Sequence, residues 1–193
     1  MNPAFQYPHY QVKRQVFALT GKLRFYSPDG TLVLFAEQKM FRLREDIRLY
    51  GDESKTQELL LIKARQIIDW AAAYDVVDGA TGQKIGVLRR KGWASMVRDE
   101  WEVLDPGDQP VGLLFEDSMG RAILRRFLLG SLLPQDYDMT IGETRVADLK
   151  QKFTFFGYEM GLDFSMDTAG RLDRRLGIAA AALLAIIEGK QKS

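Results

Sequence analysis

Four times along the chain, an extended run of alternating apolar and polar residues halts at a turn and resumes on an aliphatic residue. The clearest case covers 23–35, where Pro28-Asp29-Gly30 supplies the fixed φ of proline and the left-handed freedom of glycine that a tight turn needs. In the second, Tyr74, Val76 and Val77 lead to Asp78, the chain turns across 79–82, and Ile85-Gly86-Val87-Leu88 returns. The third closely copies it: Trp101, Val103 and Asp105 run into Pro106-Gly107-Asp108, and Val111-Gly112-Leu113-Leu114 comes back. A looser fourth copy starts at Tyr137, turns near Gly142 and Glu143, and returns through Val146 and Leu149. Each unit predicts a β-hairpin. Glycine soon after the turn, at Gly86 and Gly112, predicts a bulge or a close approach of two backbones.

Between the hairpins the pattern is less uniform. Over 58–73, Leu59-Leu60-Leu61-Ile62 and Ile67-Ile68 suit two buried strands, whereas the alanines at 71–73 suit a helix. Asp117-Ser118, the run 119–129 and Gly130 read as a capped helix that Pro134 stops from continuing, with Arg121, Arg125 and Arg126 facing water. Near the C-terminus, 176–187 contains only leucine, isoleucine, alanine and one glycine, and it is flanked by Arg171, Arg174 and Arg175 before and by Glu188, Lys190 and Lys192 after. As a helix it is apolar on every face. A dozen residues reach roughly 18 Å, against about 30 Å of hydrocarbon in a bilayer, so this helix is too short to span one and has to be surrounded by protein. The hairpins are the natural wall.

Composition then narrows the function. The 193 residues are 46% hydrophobic and 27% charged, which fits one globular domain over 1–193, with 1–12 loosely ordered and 171–189 holding the central buried helix. Lysine plus arginine (27) nearly cancels aspartate plus glutamate (26), so no overall field drives the molecule onto nucleic acid. Cysteine is absent, which removes disulfides and thiolate chemistry, and 1–15 has no secretory pattern. The expectation is a cytoplasmic protein, peripheral to the membrane if it touches one.

Together these features resemble the tubby C-terminal-like superfamily, and within it the LURP-one-related and phospholipid-scramblase-like proteins. The residues that carry the resemblance are the 16–22 run Val-Phe-Ala-Leu-Thr-Gly-Lys, the repeated hairpins, Arg89-Arg90-Lys91 ahead of Arg98-Asp99-Glu100-Trp101, and the apolar terminal helix. Nearly the whole chain is covered. The resemblance implies an α+β, β-dominated fold: a closed antiparallel barrel of about twelve strands, built from hairpins and enclosing the hydrophobic C-terminal helix. It also tips 58–73 towards strands.

Catalytic chemistry is sparse. His9 is the only histidine, so histidine-based triads and His/Cys metal clusters have no raw material, and Glu116-Asp117-Ser118-Met119-Gly120 lacks the first glycine of a nucleophile elbow. A non-enzymatic binding module is the leading reading, with scramblase-like lipid transport and an enzyme of unknown type as alternatives. Scramblases have an acidic calcium-responsive segment before the terminal helix, and Asp163, Asp167 and Asp173 occupy that position here; the competing reading makes Asp167 or Asp173 a helix cap. Because tubby-like domains engage phosphoinositides through lysine and arginine, the basic groups Arg42, Arg44 and Arg48, Arg89-Arg90-Lys91, and Arg121, Arg125 and Arg126 are candidates for anionic lipid headgroups or a protein partner. Of these, Arg89, Arg90, Lys91 and the nearby Trp93 form the preferred site, since three cations can pair phosphate while an indole sits at the headgroup boundary.

Overall fold

The protein is represented by a computed structural model, which describes residues 1–15, 20–39, 46–65, 72–91, 100–116, 135–153 and 157–188. A 3-10 turn, Pro3–Phe5, precedes twelve strands: β1 His9–Gln15, β2 Thr20–Tyr26, β3 Leu32–Lys39, β4 Ile47–Tyr50, β5 Glu58–Ala64, β6 Ala73–Asp78, β7 Lys84–Arg90, β8 Glu100–Leu104, β9 Pro110–Glu116, β10 Asp136–Ile141, β11 Thr144–Phe153 and β12 Gly157–Asp163. Helix α1, Arg174–Glu188, follows. Each strand pairs antiparallel with its sequence neighbours, and β12 returns to β1 with His9 opposite Asp163, which closes the barrel. The closed barrel and its enclosed helix are as the resemblance implied. So are the four hairpins and the strand at 58–64; Ala73 opens β6, and Ile67-Ile68 lie outside the described residues. The helix expected over 119–129 lies outside the described residues.

The five hairpin turns among the described residues lie at one end of the barrel, which also holds the start of β1 and the end of β12. Each hairpin has the same defect. One residue of the returning strand has no partner: Val33, Leu59, Ile85, Val111 and Val146. The first four positions, 33, 59, 85 and 111, recur at a constant interval of 26 residues, so the likeness between two hairpins extends to four. A bulge bends its strand and raises the local twist, and repetition of that bend curls a sheet until it closes. The bulge also lets two successive residues face inward, as in the buried doublets Val33-Leu34, Leu59-Leu60 and Val146-Ala147. Gly86 and Gly112 are the partners just inside two bulges. A Cβ at Gly86 would stand 2.6 Å from the Leu104 carbonyl oxygen and 3.0 Å from a Leu176 methyl, and one at Gly112 would overlap the Thr140 carbonyl. Both glycines therefore permit a close approach, as their sequence position suggested.

Every residue of α1 over 176–186 is buried. Eight strands already enclose a space that side chains can fill, so twelve leave a lumen that needs a further element. A helix bearing Ala179, Ala180, Ala181, Ala182 and Ala185 is slim enough to be that element, while Leu176, Ile178, Leu183 and Leu184 meet Val12, Phe25, Leu60, Tyr74, Leu88, Trp101 and Met160 in one continuous core. Gly177 lies against the buried ring of Phe164, where a Cβ would come within 2.7 Å of Cζ.

The N-terminal segment packs against this core. Phe5 is buried, and the Tyr10 hydroxyl donates to the Ala4 carbonyl at 2.8 Å; burial pushes that phenol's pKa up to about 12. The Arg174 guanidinium donates to the carbonyls of Gln6 and Tyr7 and lies over the Phe164 ring.

Replacing Ala181 with Asp puts an uncompensated carboxylate at the centre of the lumen. The expected loss is about 3–5 kcal/mol, a large part of the stability of a typical domain. Circular dichroism melting should show the cooperative transition collapse; a variant that melts like wild type would mean that α1 is not enclosed.

Candidate functional site

Strand alternation decides what becomes of the preferred basic triplet. Successive side chains of β7 point to opposite faces, so Arg89 and Lys91 lie on the outer surface while Arg90 takes the face that Leu88 and the core share. Arg90 is close enough to the Tyr74 phenol to oppose the upward push that burial gives its pKa. Outside, Arg89 donates to Glu102 with Nε at 2.7 Å and Nη2 at 2.6 Å, and Lys91 Nζ meets Glu100 at 2.6 Å and Glu102 at 4.0 Å. Glu100 and Glu102 come from β8, next to β7. Arg89 and Lys91 are thus brought together, with two carboxylates as counter-charge. Trp93 lies outside the described residues, as do Arg42, Arg44, Arg121, Arg125 and Arg126. Arg48 pairs with Glu58.

The three acidic candidates are engaged separately. Asp173 Oδ1 accepts from the Arg175 amide at 3.1 Å, which is an N-cap for α1. Asp167 accepts from the amides of Arg171 and Leu172, both at 2.9 Å, and so shapes the approach to the helix. Asp163 accepts from the Ser165 amide at 2.7 Å and faces His9 Nδ1 at 3.1 Å. Asp163 also belongs to a row that sequence reading missed, because its members are paired across strands: Asp138 lies opposite Asp148, and Asp148 opposite Asp163. Like charges so opposed repel. Arg145 bridges Asp138 and Asp148, and Lys150 reaches Asp148 at 2.6 Å. Among the described residues no three His, Asp or Glu side chains converge in a way that could hold a metal ion.

The ends of α1 hold the interior's main polar contacts. At the hairpin end, Arg175 is clasped by Asp173 and by Asp78 at the tip of β6, with both partners of the Arg175–Asp78 pair mostly buried. Burial alone would raise the Asp78 pKa; hydrogen bonds from Thr81 and Ala80, with the Arg175 charge, outweigh it and hold the carboxyl below the ordinary value. At the other end the buried Arg14 of β1 donates to the Ala185 carbonyl at 2.9 Å. Desolvation lowers its pKa, yet a guanidinium stays charged, and a cation is favoured at a helix C-terminus. In the barrel wall, the Tyr137 hydroxyl donates to Gln135 Oε1 at 3.1 Å, and the Gln135 backbone N–H donates to Gln151 Oε1 at 2.8 Å.

A closed twelve-stranded antiparallel barrel threaded by its own terminal helix is the architecture of the tubby-like superfamily. Within that class, the model of the LURP-one-related family matches residues 32–185, and the chain belongs to that family. Barrels of this family are generally non-enzymatic. No curated protein and no solved structure matches the chain. Among the described residues no helix is long and apolar enough to cross a membrane.

The Asp78 linkage has a definite sign. A carboxylate whose folded pKa lies below its unfolded value of about 3.9 contributes stability that is present above that value and lost as pH falls through the folded one. Urea unfolding followed from neutral pH down to about pH 2 should show stability draining away below about pH 4. Asp78→Asn should be about 1–2 kcal/mol less stable at neutral pH and lose less on acidification. Superimposable acid limbs for the two proteins would mean that Asp78 does not govern acid stability.

Proposed function

We propose that the protein is a non-catalytic binding module that meets its ligand on the outside of the barrel, at the cytoplasmic surface of a membrane. The observation that carries this reading is the filled lumen: the space that a large barrel could offer a ligand is taken by eleven successive buried residues of α1, 176–186. Closure also removes strand edges, so an extended peptide has no edge to extend. What remains is side-chain chemistry on the outer wall. Lipid transport finds less support, since the buried residues 176–186 of α1 occupy the lumen with apolar side chains.

The ligand class is an anionic phospholipid headgroup, with Arg89, Lys91 and Trp93 as its proposed contacts; Arg90, on the inner face, drops out of the preferred group. Glu100 and Glu102 make that site conditional. A phosphate must displace two carboxylates from Arg89 and Lys91, so it competes for cations that are already neutralised. Binding should therefore be weak and sensitive to salt.

Sedimentation with anionic vesicles tests this with three proteins. Arg89→Ala/Lys91→Ala should bind less than wild type. Glu100→Gln/Glu102→Gln should bind roughly 25-fold more tightly, because each of the two freed cations near an anionic surface contributes about 1 kcal/mol, at 1.4 kcal/mol per decade. Equal binding by all three would refute this site.

A further inference from the structure

We infer that the β4–β5 turn, 51–57, is a displaceable strap over a protein-docking patch, and that an acidic segment of a partner protein takes its place. This rests on the reading that ligands meet the barrel from outside, but it concerns a different face and a different class of ligand. Phe35 lies between Leu34 and Ala36, which point into the core, so strand alternation turns it outward. It is nevertheless only 1% exposed. Arg24 of β2, the residue opposite Phe35, lays its guanidinium over the ring, 5.7 Å from the centroid. Glu53 of the turn then accepts from Arg24 Nε at 2.7 Å, and Lys55 Nζ donates to Glu37 of β3 at 2.7 Å. To make these contacts the turn folds back from β4 across β3 to β2, two strand spacings or roughly 10 Å.

The strap is lightly held. Positions 52–57 are all exposed, and both ion pairs lie at the surface, where such pairs contribute little. Lys55 also takes a left-handed backbone, φ 59°, which is unfavourable for a residue other than glycine. Beneath it, among the described residues, β3 and β4 pair at a single position, Phe35 with Tyr50. Lifting the strap uncovers Phe35, Tyr50 and Arg24, and aromatic residues with arginine are the composition in which binding energy concentrates. Charge then selects the occupant. Lys22 stands opposite Glu37, and Lys13 reaches Glu159 at 3.6 Å, so the barrel wall itself gives each lysine a neighbouring carboxylate. Arg24 takes its carboxylate from the strap. Hydrogen bonding to Arg24, with the charges of Arg24 and Lys22, holds the Glu53 carboxyl below its ordinary value. Asp52-Glu53 is thus the template for a ligand: an acidic stretch of a partner that pairs with Arg24 and sets an apolar side chain against Phe35 and Tyr50.

Two variants break the same Glu53–Arg24 pair with opposite consequences. Glu53→Ala/Lys55→Ala removes both ties at unchanged net charge and leaves the patch intact; Arg24→Gln also releases the strap but removes the recognition group. Each, with wild type, is titrated by fluorescence anisotropy with a short labelled peptide of glutamates around one phenylalanine, after a melting curve confirms the fold. Glu53→Ala/Lys55→Ala should bind several-fold more tightly than wild type, because the patch no longer has to be uncovered first. Arg24→Gln should bind about tenfold more weakly than that unlatched protein, the usual loss of a charge-assisted hydrogen bond. The same peptide with lysine in place of glutamate should bind to none of the three proteins. Equal binding, or none, by wild type and the unlatched protein overturns the inference, and so does equal binding by Arg24→Gln and the unlatched protein. A gain seen with phosphatidylserine vesicles and not with the peptide overturns it as well. Neither variant touches Arg89 or Lys91, so failure here leaves the β7 lipid site to its own test.

Discussion

The helix and the barrel solve each other's problem. A helix without a polar face has no stable exposed position in water, and a twelve-stranded barrel without a filling has a void along its axis. Void space deprives the surrounding atoms of contact partners, and packed interiors tolerate little of it. Alanine is what makes the match possible. With Ala179 to Ala182 and Ala185 on the helix, the wall approaches the helix backbone closely, and the larger leucines and isoleucines of α1 find Gly86 and the aromatic residues of the wall. The bulges belong to the same arrangement, since they give the sheet the curvature to close and place apolar doublets on its inner surface.

Charge then fixes which way the helix points. Its N-terminus enters at the end where the hairpin turns gather their aspartates, capped by Asp173 and tied by Arg175 to Asp78. Its C-terminal turn meets the buried Arg14 from the opposite end of β1. A helix carries partial positive charge at its N-terminus and partial negative charge at its C-terminus. Reversal would set Arg14 beside free amides and Asp78 beside free carbonyls, so the polar groups at the two ends oppose an inverted thread that apolar packing alone would tolerate.

These features differ in how far they can be read from residues in order. Hairpins such as 23–35 are local, with turn chemistry and alternation within a dozen positions, and the same holds for the apolar run 176–187. The hairpin of β4 and β5 escapes such reading because β4 has four residues and its turn lacks a Pro-Asp-Gly signature. β12 is obscured by the two glycines on its outer side. Sites are less legible still. Arg89, Arg90 and Lys91 look like a patch in sequence, but strand alternation sends Arg90 the other way, and Glu100 and Glu102 arrive from the next strand. The row Asp138, Asp148, Asp163 exists only once register is known, because it draws on three strands that run in alternating directions.

That contrast bears on function. In a closed barrel the backbone hydrogen bonds are spent within the wall, so recognition rests on side chains that the register assembles, and few neighbours in sequence remain neighbours on the surface. The 26-residue recurrence of the bulge repeats the scaffold without repeating the outer face: four positions after the bulges at Val33, Leu59, Ile85 and Val111 stand Glu37, Lys63, Arg89 and Phe115. A scaffold that keeps its core pattern constant while its outer side chains change from strand to strand can present different chemistry in each sector of its wall.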